Sequence, residues 1–244
     1  IRCEIMQYTK LIREKTMRRV LTALAGSTLL TTAAIAEEVK IGIIFGFTGP
    51  IESLTQPMAA AAELAMKEAT DSGIFLGGAT VSGVRGDSTC IDSAAAVSAA
   101  ERLVTSDKVN AIVGGDCSGV TGAILQNVAR PNGVVMISPS ATSPALSTAE
   151  DDGLFFRTSP SDARQGQIMT EILMEQGITT VPVTYTNSDY GKGLAEAFEA
   201  AFTAAGGTVT LNAAHEDGKA DYSAEVGALA AAGGDRLVIA GYID

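Results

Sequence analysis

From Val39 onward, short runs of β-branched and apolar residues alternate with longer Ala-rich stretches in which apolar positions recur every three to four residues. The short runs suit strands buried on both faces and the long stretches suit amphipathic helices, so the alternation predicts a parallel sheet flanked by helices. Val39 to Phe45 reads as the first strand. After a loop from Gly46 to Gln56, a helix is expected to begin with Pro57 in its first turn and run to about Ser72, where Gly73 ends it. A second strand is predicted over Ala79 to Arg85, a helix from the N-cap Asp92 through Ser106, and a third strand over Val109 to Val113. The helix after Ser118 closes near Arg130-Pro131, a fourth strand covers Val134 to Ile137, and Ser138 to Pro144 is a polar loop.

Leu154 to Thr158 reads as a strand leading into Ser159-Pro160, and there the βα series begins again. It runs through a helix over Ser161 to Gln176, a strand over Thr180 to Thr186, a helix over Lys192 to Ala204, a strand over Thr208 to Ala213, a helix over Tyr222 to Ala232 and a strand over Arg236 to Ala240. The restart sets a domain boundary near Thr158 to Pro160, with one unit at 37–158 and a second at 159–244. The last strand has no helix after it to cover the sheet, so the second unit is expected to be truncated at Asp244.

The front of the chain is of another kind. Met17-Arg18-Arg19 is followed by the apolar run Val20 to Ile35 and then Ala34-Ile35-Ala36, the order of a basic n-region, a short apolar core and a small-residue cleavage site. Residues 17–36 are therefore expected to be a signal peptide cleaved after Ala36, and residues 1–16 a spurious upstream extension. The apolar run is shorter than the roughly 20 residues of a membrane span. Export in turn bears on the cysteines. Setting Cys3 aside with the leader leaves Cys90 and Cys117 in a compartment where disulfides persist, and a bond between them is expected.

Of the 244 residues, 46% are hydrophobic and 18% charged, enough apolar material for one large or two modest cores and too much for disorder. The formal charge is −11; the first 36 residues hold six of the basic residues and two of the acids, so the remainder carries a net of −15. A surface so acidic repels phosphate backbones and anionic lipid, which argues against a nucleic-acid partner.

Ligands of open parallel sheets sit beyond the carboxyl ends of strands. The loops there are Gly46 to Gln56, Gly114 to Gly119, Ser138 to Pro144 and Asn187 to Gly191. Ser118 and the N–H groups after it open a helix and suit a carboxylate, and Ser140 and Thr142 offer hydroxyls at the same sheet edge. A competing reading makes Cys117, within Gly115-Asp116-Cys117-Ser118-Gly119, the nucleophile of a secreted hydrolase with Asp189 and His215 as partners. It weighs less, because an exported Cys with one other Cys available is expected to be cross-linked. His215, in a polar stretch, is expected to be solvent-exposed. One His and a paired Cys set leave no zinc site, Gly191-Lys192-Gly193 lacks the spacing of a phosphate loop, and no cofactor is expected.

Several markers occur in order: Gly49-Pro50, Cys90, Cys117-Ser118, Ile137 to Pro144, Phe156-Arg157-Thr158 and Asp189-Tyr190-Gly191-Lys192-Gly193. With them, residues 39–244 resemble the leucine/isoleucine/valine-binding family of type I periplasmic binding proteins, the substrate-binding components of branched-chain amino acid ABC transporters. The resemblance implies an α/β fold of two doubly wound parallel-sheet lobes that close by a hinge on a small-molecule ligand, an amino acid or related carboxylate. It implies a monomer in the periplasm, without enzymatic activity, that delivers its ligand to ABC permease subunits, and a Cys90–Cys117 disulfide. A sensor domain of the same fold, regulating a partner, is the alternative. Carried over by position, Ser118, Ser140, Ala141 and Thr142 would hold the ligand from the first lobe and Tyr190 and Tyr242 from the second.

Two positions depart from the pattern. Where branched-chain amino acid binders carry an aromatic residue after Gly-Pro, this chain has Leu54, so its side-chain pocket is expected to differ in shape. The second-lobe acid that pairs with the ligand ammonium, which separates amino acids from amides or aromatic acids, would lie beyond Asp244; without it and without the segments that return to the first lobe through the later crossings, a chain of this extent is expected to bind weakly or not at all.

Overall fold

The computed structural model describes residues 37–242. The signal peptide and the upstream extension expected at the front lie outside the described residues. The elements, in chain order, are β1 (Glu38–Phe45), α1 (Glu52–Asp71), β2 (Thr80–Asp87), α2 (Ser93–Thr105), β3 (Ala111–Gly114), α3 (Ser118–Ile124), β4 (Val135–Ser138), β5 (Phe155–Arg157), α4 (Asp162–Glu175), β6 (Thr180–Thr186), α5 (Asp189–Ala204), β7 (Thr208–His215), α6 (Ser223–Ala232) and β8 (Val238–Ala240). Short 3₁₀ turns lie at Phe75–Gly77 and Pro144–Ser147, and α3 continues through a π turn, Leu125–Ala129, into Arg130–Asn132.

The strands form two wholly parallel sheets, one in the order β2-β1-β3-β4-β5 and one in the order β7-β6-β8. The fold is α/β with two doubly wound lobes: the alternation of runs predicted parallel strands flanked by helices, and the family resemblance implied the two lobes. Parallel strands need crossovers, and the Ala-rich segments supply them as helices on the sheet faces. In the first lobe Ile44, Ile112, Val120, Ile124 and Met136 are fully buried on one side of the sheet, while Ile43 and Phe45, alternating with Ile44, pack with Ala59 and Met66 of α1 on the other. In the second, Val181 and Val183 of β6 pack on Phe198 and Phe202 of α5, whose rings stack 5.2 Å apart.

The caps follow local chemistry. Asp92 accepts hydrogen bonds from the N–H groups of Ala94 and Ala95, Ser161 from Ala163 and Ser188 from Gly191. Two helices start earlier than the sequence pattern suggested. α1 begins at Glu52 and holds Pro57 inside it, because the buried Thr55 hydroxyl donates to the carbonyls of Gly46 and Glu52 and ties the first turn to the end of β1. α5 begins at Asp189, where Ser188 caps it and an acid in the first turn favours the helix dipole.

Candidate functional site

A doubly wound sheet has a crevice where successive crossovers leave in opposite directions. In the first sheet this point falls between β1 and β3, and in the second β6 lies between β7 and β8. The carboxyl ends of these strands open on one cleft of about 340 Å³. The segment after β1 brings Ile51, Leu54 and Met58 to it, the segment after β3 brings Asp116, Cys117 and Ser118, and the segment after β4 brings Ser140 and Thr142. From beyond the first sheet come Gln165 of α4, Tyr190 of α5, and Gly241 and Tyr242 after β8. The volume suits a small solute.

The first-lobe wall is held by buried polar groups. The Asp116 carboxylate accepts from the Gly46 N–H at 2.6 Å and from the Ser88 hydroxyl at 3.0 Å, joining the loops after β1, β2 and β3. A disulfide between Cys90 and Cys117 pins the segment after β2 to the residue before α3. It also leaves Cys117 without a free thiol to act as a nucleophile. Gly114 turns the chain out of β3 with φ +137°, and a Cβ there would lie 2.0 Å from the Ile44 carbonyl oxygen, so only glycine fits.

Ser118 is the first residue of α3 and is buried; Cys117 precedes it in an extended conformation. The Ser118 hydroxyl accepts from the Ser143 N–H at 3.1 Å, which keeps its own proton for donation, and the first N–H groups of α3 have no acceptor within the helix. The Ser140 hydroxyl donates to the Asp116 carbonyl at 3.0 Å. Ala141 is not brought to the cleft: its side chain is fully buried in the core, its N–H donates to the Ser138 hydroxyl and its carbonyl accepts from Arg157 and Ser159. The Thr142 carbonyl accepts from the Asp162 N–H at 2.9 Å.

On the opposite side Tyr190 and Tyr242 stack with ring centroids 5.2 Å apart, and Tyr242 also packs on the first-lobe core. Burial pushes the Tyr242 phenol up to about 12, against the hydrogen bond with Ser188 that lowers it, while the negative charges of Tyr190, Asp116 and Asp217 add to the rise. Burial also raises Tyr190, reinforced by the charge of Asp162. The structure thus brings Leu54, Ser118, Ser140, Thr142, Tyr190 and Tyr242 together.

His215 is not the exposed residue that its polar surroundings suggested. Its side chain is 14% exposed, because the ring pairs with the Thr184 hydroxyl at 2.8 Å and lies edge-on to Tyr222. Sequence reasoning also missed Asp116 as a bracket, Gln165 and Met58 as lining, and Asp162 behind the wall. Asp116 stands inside the loop that was singled out, but its neighbours Gly46 and Ser88 are distant in sequence and gave no signal. Among the described residues no cluster of His, Cys, Asp and Glu could hold a metal ion.

Residues 38–244 match the family model described as periplasmic binding protein, and the chain belongs to that family. It is 31% identical to Leu/Ile/Val-binding protein homolog 3 of Brucella melitensis over 90% of this chain and 58% of that protein. It is 29% identical to the leucine-, isoleucine-, valine-, threonine- and alanine-binding protein of Pseudomonas aeruginosa over 93% of this chain and 60% of that protein. Among solved structures, the branched-chain amino acid transporter substrate-binding protein of Streptococcus pneumoniae in complex with isoleucine matches with a TM-score of 0.71 at 30% identity, covering 83% of this chain and 57% of the other. The chain therefore spans less than two thirds of the length of these relatives.

Proposed function

We propose that the protein captures an amino acid, branched-chain or closely related, in the cleft between its lobes and delivers it to the permease subunits of an ABC importer. The carrying observation is that the crevices of both sheets open on one cleft, with the Ser118 hydroxyl and the start of α3 on one side and stacked Tyr190 and Tyr242 on the other. In this reading the α3 N–H groups and Ser118 hold the carboxylate, Thr142 and the exit from β4 hold the amino group, and Ile51, Leu54 and Met58 receive the side chain. The lobes divide at 158/159. Ligand contacts to both lobes favour the closed arrangement by their differential affinity, with no bond made or broken. The names of the relatives support the ligand class and the family supports the periplasm as the compartment; in this reading the protein acts there as a monomer and not as an enzyme.

A thermal-shift screen of the protein at its full natural length, against the common amino acids and a set of simple carboxylates, tests the reading. Stabilisation by aliphatic amino acids is expected. A screen in which no amino acid shifts the transition would overturn it.

A further inference from the structure

Asp162 opens α4 where the chain passes from one lobe to the other, and it is 1% exposed, yet neither of its carboxylate oxygens has a hydrogen-bond partner. Buried carboxylates are ordinarily paired or bonded, because an unpaired charge in low dielectric is costly. Three groups face it: Arg157 from β5, Thr142 from the segment after β4, and Tyr190 from α5. The Arg157 guanidinium is committed elsewhere, donating to the carbonyls of Ala141 at 3.2 Å and Ser143 at 2.9 Å and to the Ser147 hydroxyl, so it reaches Asp162 by charge and not by a hydrogen bond. Thr142, Tyr190 and Gln165, the last one turn along α4, all line the cleft. The carboxyl thus stands one layer behind the cleft wall. Burial raises its proton affinity, and the Thr142 hydroxyl and Arg157 oppose that rise.

We propose that Asp162 is a positioning residue for the cationic group of the ligand, acting through the Thr142 hydroxyl; this rests on the solute-capture reading above. A hydroxyl has one proton. When Thr142 turns that proton toward the carboxylate behind it, its oxygen presents only lone pairs to the cleft, which accept from an ammonium and repel a carboxylate. The negative charge at the same place, poorly screened in a dry wall, adds to the discrimination. The cleft is accordingly built for a zwitterion, with the anionic end at α3 and the cationic end at Thr142, and against a ligand of the same skeleton lacking the amino group.

The test compares leucine with 4-methylpentanoate, its skeleton without the amino group, by calorimetry on the wild type, Asp162→Asn and Asp162→Glu at full natural length, with thermal unfolding of each. The wild type is expected to prefer leucine by about tenfold or more, the scale of one charge-assisted hydrogen bond. Asp162→Asn should reduce that preference by about threefold or more, the acid expected beyond Asp244 holding the remainder, and Asp162→Glu should recover part of the loss. The unfolding midpoint of Asp162→Asn should stay level or rise at neutral pH, because the variant removes a charge whose burial the Thr142 hydroxyl and the distant Arg157 only partly offset. A merely structural residue would instead lose stability and affinity for both ligands in parallel, and that result would overturn the proposal. So would equal binding of the two ligands by the wild type, or an undiminished preference in Asp162→Asn; either leaves solute capture standing. Binding of neither ligand, with no amino acid active in the screen, would remove both.

Discussion

Gly193 of α5 lies against Ser143 and Pro144 so closely that a Cβ on it would stand 2.9 Å from the Ser143 hydroxyl oxygen and 3.0 Å from the Pro144 ring. α5 belongs with the second sheet and the Ser143-Pro144 turn follows β4 of the first, so the glycine lets these two elements pack closely beside the cleft. A methyl group already requires Ser143 and the Pro144 ring to shift, and a branched side chain needs the helix to withdraw. Gly193→Val is therefore expected to hold the lobes apart, weakening ligand binding by about tenfold or more while each lobe's core stays intact. Small-angle scattering with saturating ligand checks it: the variant should remain more extended than the wild type. Equal compaction in the two proteins would remove Gly193 as the limit on approach.

The stacked pair Tyr190 and Tyr242 gives a second expectation. Aromatic pairs contribute about 0.5–1.5 kcal/mol beyond the area they bury. Replacing either ring with Leu should cost ligand affinity by about two- to tenfold, and Tyr242→Leu should also lower stability because that ring packs on the first-lobe core. Titration calorimetry and thermal unfolding of the two variants separate these effects.

The Tyr242 phenol also predicts alkaline behaviour. Its folded-state value, about 12, lies above the roughly 10 of an unfolded tyrosine, so the stability linked to it is fully present below pH 10 and is lost as pH rises from there through 12. Absorbance titration near 295 nm should show a late-ionising tyrosine that disappears in Tyr242→Phe. Asp87 gives the opposite sign at the acid end. Burial raises its value, but hydrogen bonds from the Thr48 hydroxyl and the N–H groups of Thr89, Thr48 and Phe47 outweigh this and hold it below the usual carboxylate range. Its contribution is therefore present above the unfolded value near 4 and falls away as pH drops through the folded one. Asp87→Asn should flatten the acid limb of the stability profile.

The Cys90–Cys117 disulfide closes a loop across 27 positions, for which chain-entropy reasoning gives roughly 3–4 kcal/mol of stabilisation. Reduction, or the double substitution by Ala, should lower the unfolding midpoint and loosen the residue before Ser118, with affinity falling alongside. Thiol titration of the unreduced, denatured chain lacking residues 1–36 should detect no free thiol.

Much of this architecture was legible in the chain. The alternation of short apolar runs with Ala-rich stretches led to parallel strands and crossover helices, and capping residues such as Asp92 marked helix starts closely. The starts that were misplaced, at Glu52 and Asp189, depended on tertiary contact or competing local signals: Pro57 was the loudest feature of its segment, but the Thr55 hydroxyl fixed the turn before it. That Ser118, Ser140 and Thr142 line one cleft was readable because all three stand on loops after strands at one edge of such a sheet. Ala141 was carried along with its neighbours although the tight Ser138–Ala141 turn folds it into the core. Asp162 escaped notice for the same kind of reason: only the fold shows that the first residue of α4 stands behind Thr142 with its carboxylate bare.

The most direct measurement is calorimetric titration of leucine, isoleucine and valine into the protein at full natural length, in parallel with Ser118→Ala and Thr142→Val. Saturable one-site binding that weakens by about tenfold in each variant is the predicted outcome. Binding that is equally tight after both hydroxyls are removed would contradict the assignment of the ligand to this cleft.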